Sequence, residues 1–169
     1  MNSTDYFQDH MPGNICFGCG RDNHEGLQIS SGWDGEEGVC TWDPQERYQG
    51  WIGLVNGGIL ATLVDCHCMC TAMAFAAREA GRSLEEPPYN RFATGQMTIR
   101  YLKPTPTDKP LEVRAHVTGV KDDRKFTLKC EVYSGAKADG GEKVVDAEVI
   151  AFLVFSSDNP DHGDSPFGG

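Results

Sequence analysis

The side chain with the clearest capacity for chemistry is Asp65, because it is the only carboxylate in the apolar run of residues 59–77. An ionised carboxylate in such surroundings is costly unless it is paired or hydrogen-bonded, and no Lys or Arg lies within four residues of it. Two interpretations are open: a structural Asp bonded to backbone or Thr hydroxyl groups, or a general base or nucleophile. We favour the second, because buried polar groups without local partners tend to mark functional sites.

The segment that carries Asp65 is predicted to be one buried helix over residues 56–77. Asn56 is a good N-cap, and Gly81 follows the last apolar residues as a helix terminator. A helix that is apolar nearly all round lies either in a protein core or in a bilayer. Asp65 and His67 would be costly in the middle of a bilayer, so we expect a core position and no membrane.

The start of this helix is a candidate for the second half of a site. The N–H groups of Gly57 and Gly58 have no helical partners and carry partial positive charge, so they could hold a carbonyl oxygen as negative charge develops on it. The structural alternative is a capped helix that packs tightly. Gly58 lies seven residues before Asp65, or about 10 Å along the axis, too far for one carbonyl to contact both. A site that uses both must therefore join two subunits of a two-fold dimer.

The elements that must position these residues follow from a change of the apolar pattern to a period of two. Such alternation predicts antiparallel strands with one face on a core. We predict strands at residues 27–30, 39–42, 93–102, 111–118, 126–133 and 145–153, with turns at 33–35, 122–123 and 139–141. One long helix and a meander of long strands predict an α+β fold in which a curved antiparallel sheet wraps around the helix.

Length and composition predict one domain over residues 16–155, after a loose segment at 1–15 and before a disordered polar tail at 156–169. The formal net charge of −10 argues against a nucleic-acid partner, since phosphate binding requires clustered Lys and Arg. The first residues include no apolar core segment, so we expect no secretory leader. The seven cysteines are odd in number, which indicates free thiols in a reducing, cytoplasmic compartment.

The C-x-x-C sequence at residues 16–19 resembles half of a zinc site. His10, His24 and the cysteines of the helix could complete the four ligands that a closed site needs. We find no second spaced pair, however, and therefore expect no metal. Three cysteines of the helix cannot share one face, because positions i and i+2 diverge, and we interpret them as small packing residues: Cys66, Cys68 and Cys70.

Three stretches form a recognisable combination: CFGCG at residues 16–20 with Asn23 and Gly26-Leu27 after it, YQGWIGLVNGGILATLVD at 48–65, and TGQMTIRYLKP at 94–104. In this combination, residues 16–155 resemble the PaaI-like acyl-CoA thioesterases of the hotdog superfamily. The resemblance implies a hotdog fold and a homodimer, often paired again into a homotetramer. It also implies hydrolysis of acyl-CoA thioesters without a metal or other cofactor.

Carried over to this chain, the resemblance implies a role for each candidate residue. Asp65 would activate the attacking water or attack the thioester directly. The N–H of Gly58, with that of Gly57, would form the oxyanion hole from the partner subunit. Thr94 falls where some relatives have a Ser or Thr that helps to position the water. The phosphates of acyl-CoA would lie at basic residues near the sheet: Lys103, Arg124 and Lys125.

One departure concerns Asn56, which stands where the family usually has His. An Asn can cap the helix and donate a hydrogen bond, but it cannot take up a proton. If the His of the family only orients and caps, activity survives. Otherwise the chain would be a non-catalytic acyl-CoA or acyl-carrier binding protein on the same fold.

A hydratase is a third possibility, but nothing here matches its helix motif with a His base. The sequence does not determine the acyl group, although three side chains could line an apolar pocket for it: Trp51, Met73 and Phe75.

Overall fold

A curved antiparallel sheet wraps around one long helix in the computed structural model, which describes residues 5–166. The helix is α1 (Gly57–Glu79). The strands are β1 (Ser31–Asp34), β2 (Glu37–Trp42), β3 (Gln49–Trp51), β4 (Leu54–Val55), β5 (Asn90–Tyr101), β6 (Leu111–Lys121), β7 (Lys125–Ser134) and β8 (Glu142–Ser156). Six of them form the main sheet in the order β1-β2-β6-β7-β8-β5, while β3 and β4 form a separate hairpin that leads into α1. This is the α+β hotdog fold that the resemblance implied.

The central helix forms where the sequence predicted it. The side chain of Asn56 caps α1 by accepting a hydrogen bond from the Gly58 N–H at 2.7 Å. Beyond the helix end, Gly81 has a φ of +68°, the left-handed conformation that favours glycine. Thirteen of the 23 residues of α1 are buried. By length and hydropathy alone α1 could cross a membrane, but most of it is covered within this fold, as a core helix is.

The period-two pattern is confirmed in the long strands. In β6, the side chains of Leu111, Val113 and Ala115 are buried against the helix layer, and the polar residues between them are not. The hairpin between β6 and β7 turns at Asp122 and Asp123, whose φ angles are +53° and +51°. Two consecutive positive φ values are what a tight hairpin turn between twisted strands requires.

The first strand lies later in the chain than the alternation predicted. The prediction placed it at residues 27–30 with a turn at 33–35, but β1 begins at Ser31 and includes Asp34. The N–H of Leu27 donates to the Phe17 carbonyl at 2.9 Å, and the N–H of Ile29 donates to Gly18 at 3.0 Å. Residues 27–30 therefore pair with the cysteine-rich loop instead of with β2. The local sequence pattern does not show this pairing partner.

The N-terminal segment also differs from the loose chain that we expected at 1–15. Phe7 and Met11 are buried, and Gln8 Nε2 donates to Ser31 Oγ at 3.1 Å. Two apolar side chains among charged neighbours are enough to dock the segment on the sheet, because each buried side chain stabilises packing by about 1.5–3 kcal/mol. Residues 1–4 lie outside the described part of the chain.

The polar tail at 156–169 was expected to be disordered. Its described part contains a short 3-10 turn at Pro160–His162. The Nδ1 atom of His162 accepts a hydrogen bond from the Ser156 N–H at 2.8 Å, which ties this turn to the end of β8. Residues 167–169 of the tail lie outside the described range.

One ion pair on the sheet predicts how stability depends on pH. Glu131 accepts hydrogen bonds from Lys143 Nζ at 2.7 Å and from the Tyr133 hydroxyl at 2.6 Å. Partial burial opposes ionisation of Glu131, but these donors outweigh burial and lower its pKa from 4.5 to about 2. A carboxyl group whose pKa is lower in the folded state stabilises the fold at neutral pH, and this stabilisation is lost as the pH falls through that interval.

We therefore expect Glu131→Gln to lower the Tm at pH 7 and to unfold with a weaker pH dependence than the wild type below about pH 4.5. Thermal unfolding followed by circular dichroism at pH 7, 4 and 3 measures both effects. Glu148→Gln, a change at an exposed position of β8, is the control and should follow the wild type. Parallel curves for Glu131→Gln and the wild type would contradict the expectation.

Candidate active site

The structure brings Asp65 of α1 and Thr94 of β5 together. The Thr94 hydroxyl donates a hydrogen bond to Asp65 Oδ1. Within residues 5–166, the other carboxylate oxygen has no hydrogen-bond partner. Asp65 is partly exposed instead of fully buried, so a water molecule can reach its free oxygen. The pair therefore consists of a carboxylate that is oriented by one hydroxyl group and open to solvent on its other oxygen.

A β-bulge places Thr94 beside the helix. The pairing of β5 with β8 shifts between Thr94 and Gln96, which leaves Gly95 as the extra residue. A side chain at Gly95 would displace the exposed ring of Phe152, so glycine fits this position without rearrangement. Bulges change the direction of neighbouring side chains and are frequent next to functional sites. Here the bulge lets both halves of a long strand face the helix while Thr94 remains within reach of Asp65.

At the start of α1 the hydrogen bonds differ from those that we predicted. The N–H of Gly58, the expected oxyanion donor, is already bonded to Asn56 Oδ1. Within the described residues, the Gly57 N–H and the Asn56 Nδ2 amide group have no hydrogen-bond partner. The donors that remain available at the helix start are therefore Gly57 and Asn56. An Asn cap uses its carbonyl oxygen and leaves its amide hydrogens free.

Sequence reasoning missed Tyr101, which holds the helix start in place. Its hydroxyl donates to the Gly57 carbonyl at 2.8 Å. On the other side, the Asn56 N–H donates to the Tyr48 carbonyl at 2.9 Å, so the loop before β3 also supports the cap. The only available signal was that Tyr101 continues the inward alternation of β5. This pattern predicted the face of Tyr101 but not its partner.

The two halves of the predicted site do not meet within one chain. Gly57 and Asp65 are eight residues apart on α1, or about 12 Å along the axis. Near the helix start, the tip of the β3–β4 hairpin exposes Trp51 by 81% and Ile52 by 100%. Two large apolar side chains therefore lie exposed next to each other at this tip.

The three basic residues predicted for phosphate binding do not form one cluster. Lys103 lies near the beginning of β8 and forms an ion pair with Glu142. Arg124 and Lys125 lie at the β6–β7 hairpin, where the Arg124 carbonyl accepts the Leu153 N–H at 2.8 Å near the other end of β8. The two positions are roughly 36 Å apart along the strand, given about 3.3 Å per strand residue. Arg124 and Lys125 have no ion-pair partner within the described residues.

A cleft of about 910 Å³ lies between the C-terminal half of α1 and the β6–β7 hairpin. Phe75, Phe126 and Arg124 line it, and Asp65 does not. Of the three apolar residues suggested for an acyl pocket, Phe75 contributes to this cleft. Met73 is buried in the core, and Trp51 is exposed at the distant hairpin tip.

His67, two residues after Asp65, takes no part in this site. It is fully buried, with Nδ1 at 2.8 Å from Ser31 Oγ and Nε2 at 3.0 Å from the Gly38 carbonyl. Burial lowers the pKa of His67 to about 4, which keeps the ring neutral near pH 7. Its position between two partners in the core indicates a structural role.

The chain is similar to known proteins of one family. The family model described as the thioesterase superfamily matches residues 52–139. No match was found among curated proteins. A solved structure of a thioesterase superfamily protein from Shewanella loihica PV-4 is 27% identical, with a TM-score of 0.56 over 73% of this chain and 89% of that one.

Two more distant structures share the fold. The PaaI protein of the E. coli phenylacetic acid degradation operon is 14% identical, with a TM-score of 0.59 over 77% of this chain and 82% of that one. A hypothetical thioesterase from Streptococcus pneumoniae TIGR4, solved with coenzyme A, is 16% identical, with a TM-score of 0.57 over 76% of this chain and 87% of that one.

Proposed function

We propose, on the premise that this chain belongs to the thioesterase superfamily, that it hydrolyses acyl-CoA thioesters to a free acid and CoA. The observation that carries the proposal is the pair of Asp65 and Thr94. The hydroxyl of Thr94 orients one carboxylate oxygen and leaves the other available to a water molecule. A carboxylate held in this way can act as a general base.

In this mechanism Asp65 takes a proton from water while the water oxygen attacks the thioester carbonyl. The tetrahedral oxyanion is stabilised by the donors at a helix start, the Gly57 N–H and the Asn56 amide group. Collapse of the intermediate breaks the carbon–sulfur bond, and the CoA thiolate takes up the proton held by Asp65. Attack by Asp65 itself would instead expel the CoA thiolate and form a mixed anhydride. Hydrolysis of that anhydride at the Asp65 carbonyl would leave one oxygen from labelled water in Asp65, which single-turnover mass spectrometry detects.

The proposal includes a homodimer, because the helix start that serves Asp65 must come from a second copy of the chain. The exposed Trp51 and Ile52 and the position of β5 at the sheet edge support such an interface. Light scattering after size-exclusion chromatography distinguishes the dimer from a monomer and from the tetramer that the family resemblance suggests.

The proposed substrate class is supported by the family and by the positions of basic side chains. A relative of the same fold was solved with coenzyme A, and Arg124 and Lys125 are free to bind phosphate beside a cleft of about 910 Å³. Lys103, at the other end of the sheet, would contact phosphate only from a second copy of the chain. The free thiol state of all seven cysteines fits the reducing cytosol that we propose as its compartment.

The test is release of free CoA thiol across a panel of acyl-CoA esters. Hydrolysis of at least one ester supports the proposal. The rival function, a non-catalytic acyl-CoA or acyl-carrier binding protein, is favoured by Asn56 in place of the usual His. Binding of an acyl-CoA in a calorimeter without thiol release from any ester would select the rival.

A change at Asn56 separates its two roles. We expect Asn56→Asp to keep the cap on the Gly58 N–H, and therefore the Tm, because Asp caps helices as well as Asn does. The same change replaces an amide donor with a negative charge beside the oxyanion, so kcat should fall by about 100-fold or more.

Asn56→Ala removes both the cap and the donor, and should also lower stability by about 1 kcal/mol. Steady-state kinetics and denaturant unfolding of the two variants measure the two roles. Wild-type kcat in Asn56→Asp would show that the amide group does not contact the reacting carbonyl.

A further inference from the structure

Four cysteine sulfurs converge where the N-terminal loop meets the middle of α1. The Sγ atoms of Cys16 and Cys66 are 3.7 Å apart, and those of Cys19 and Cys70 are 3.9 Å apart. The Sγ atoms of Cys16, Cys19 and Cys66 all lie within 4.8 Å of one another. All four residues are free thiols.

The sulfurs of Cys16, Cys19 and Cys66 are close enough together to share one tetrahedral thiolate site, and Cys70 joins this group through its contact with Cys19. Zinc bound by four cysteines has Zn–S bonds of about 2.3 Å, which places neighbouring sulfurs about 3.8 Å apart. A disulfide bond would bring two sulfurs to about 2.0 Å, well inside the 3.7 Å between Cys16 and Cys66. A set of four cysteine ligands is typical of a closed structural site instead of a catalytic one.

The sequence offered the helix cysteines as possible partners of the C-x-x-C loop, but it did not show which two of them share a face. Cys66 and Cys70 are four residues apart on α1 and therefore share one helix face. Cys68, between them, lies on another face of the helix, where Cys130 of β7 is its neighbour. Treating the three helix cysteines as one group concealed an i, i+4 pair that completes the C-x-x-C sequence of the loop.

The loop is shaped to approach the helix sulfurs closely. A side chain at Gly18 would overlap the Cys66 sulfur, so glycine is required there. The Gly18 N–H lies 3.4 Å from Cys16 Sγ and donates to it, and Asn14 Nδ2 donates to Cys19 Sγ at 3.6 Å. Such N–H donors from outside the ligand set orient metal-bound thiolates and offset their charge.

We propose that Cys16, Cys19, Cys66 and Cys70 bind one Zn²⁺ ion that ties the N-terminal loop to α1. Tetrahedral sulfur sites hold zinc or iron, and elemental analysis distinguishes the proposed zinc from iron. Cys66 directly follows Asp65, so the ion anchors the helix one residue from the candidate base. The site is separate from the proposed hydrolysis and can be tested without it.

The first test is elemental analysis of untagged protein purified without chelators. About one zinc per chain is expected for the wild type and for Cys68→Ala, the matched control on the same helix. Cys16→Ser and Cys70→Ala should each retain less than about a tenth of that zinc, because loss of one of four ligands opens a closed site. Retention of zinc by both ligand variants, or iron in place of zinc in the wild type, would overturn the assignment.

The second test uses only the wild-type chain and so does not depend on the folding of any variant. After chelation under reducing conditions, Co²⁺ is titrated in, and the charge-transfer and ligand-field absorption of tetrahedral cobalt thiolate is followed. Saturation at one Co²⁺ per chain and displacement by Zn²⁺ support the site. No such absorption, or two disulfides in place of bound metal by mass spectrometry, would refute it.

Discussion

Replacement of Asp65 by asparagine is expected to lower kcat for acyl-CoA hydrolysis by about 10²–10⁴-fold, the usual contribution of a general base. Asparagine has nearly the same shape, and its oxygen can still accept the hydrogen bond from Thr94. The variant therefore loses basicity without losing packing. Stopped-assay release of CoA thiol measures the change, and calorimetry with an unreacted acyl-CoA should give a Kd close to that of the wild type.

The control for this prediction is Asp43→Asn, a carboxylate-to-amide change in an exposed loop before β3. It should leave kcat, Kd and dimerisation unchanged. A dimeric Asp65→Asn variant that hydrolyses acyl-CoA at the wild-type rate would exclude Asp65 as the base. A variant that is monomeric would assign its loss of activity to assembly, and the assignment of Asp65 as the base would then fail this test.

A mixed dimer should recover activity that neither parent has. A heterodimer of Asp65→Asn with Asn56→Asp contains one site in which both halves are wild type, because each site takes its carboxylate and its helix start from different chains. We therefore expect about half of the wild-type kcat per dimer, against almost none for either parent. Two different affinity tags allow the heterodimer to be isolated and assayed for thiol release.

The matched control carries the same two changes in one chain. A heterodimer of wild type with the Asn56→Asp/Asp65→Asn double variant has one damaged half in each site, so it should be nearly inactive. If each chain instead built a complete site by itself, the two results would be exchanged. The pair of measurements thus decides whether the site lies between subunits.

Much of the fold was predictable because local patterns encode it. The continuous apolar run and its Asn56 cap predicted α1, and period-two alternation predicted the four long strands of the sheet. These signals depend only on residues close in sequence. The first strand was predicted wrongly at residues 27–30. The backbone of these residues forms hydrogen bonds with Phe17 and Gly18, and an alternating pattern gives no information about such partners.

The candidate site was predictable in part. Asp65 stood out because a carboxylate in an apolar helix is costly without a partner. Its partner Thr94 was suggested by family resemblance alone, and the structure adds the bulge at Gly95 that lets the two meet. The hydrogen bond between Asn56 and Gly58 moved the available donors from Gly58 to Gly57 and Asn56. Whether the Gly58 N–H is available to a substrate depends on the side-chain conformation of Asn56, which the sequence does not determine.

The sequence by itself determined the elements: a buried helix with one carboxylate, its capped start, and the strands that enclose it. Only the tertiary structure decided which distant residues meet. The loop with Cys16 and Cys19 reaches Cys66 and Cys70 across about fifty residues of chain, and this approach requires Gly18. Periodicity is a property of neighbouring residues, whereas a site built from two segments depends on the path of the whole chain between them. For that reason Asp65 could be recognised in the sequence, and the four-sulfur cluster beside it could not.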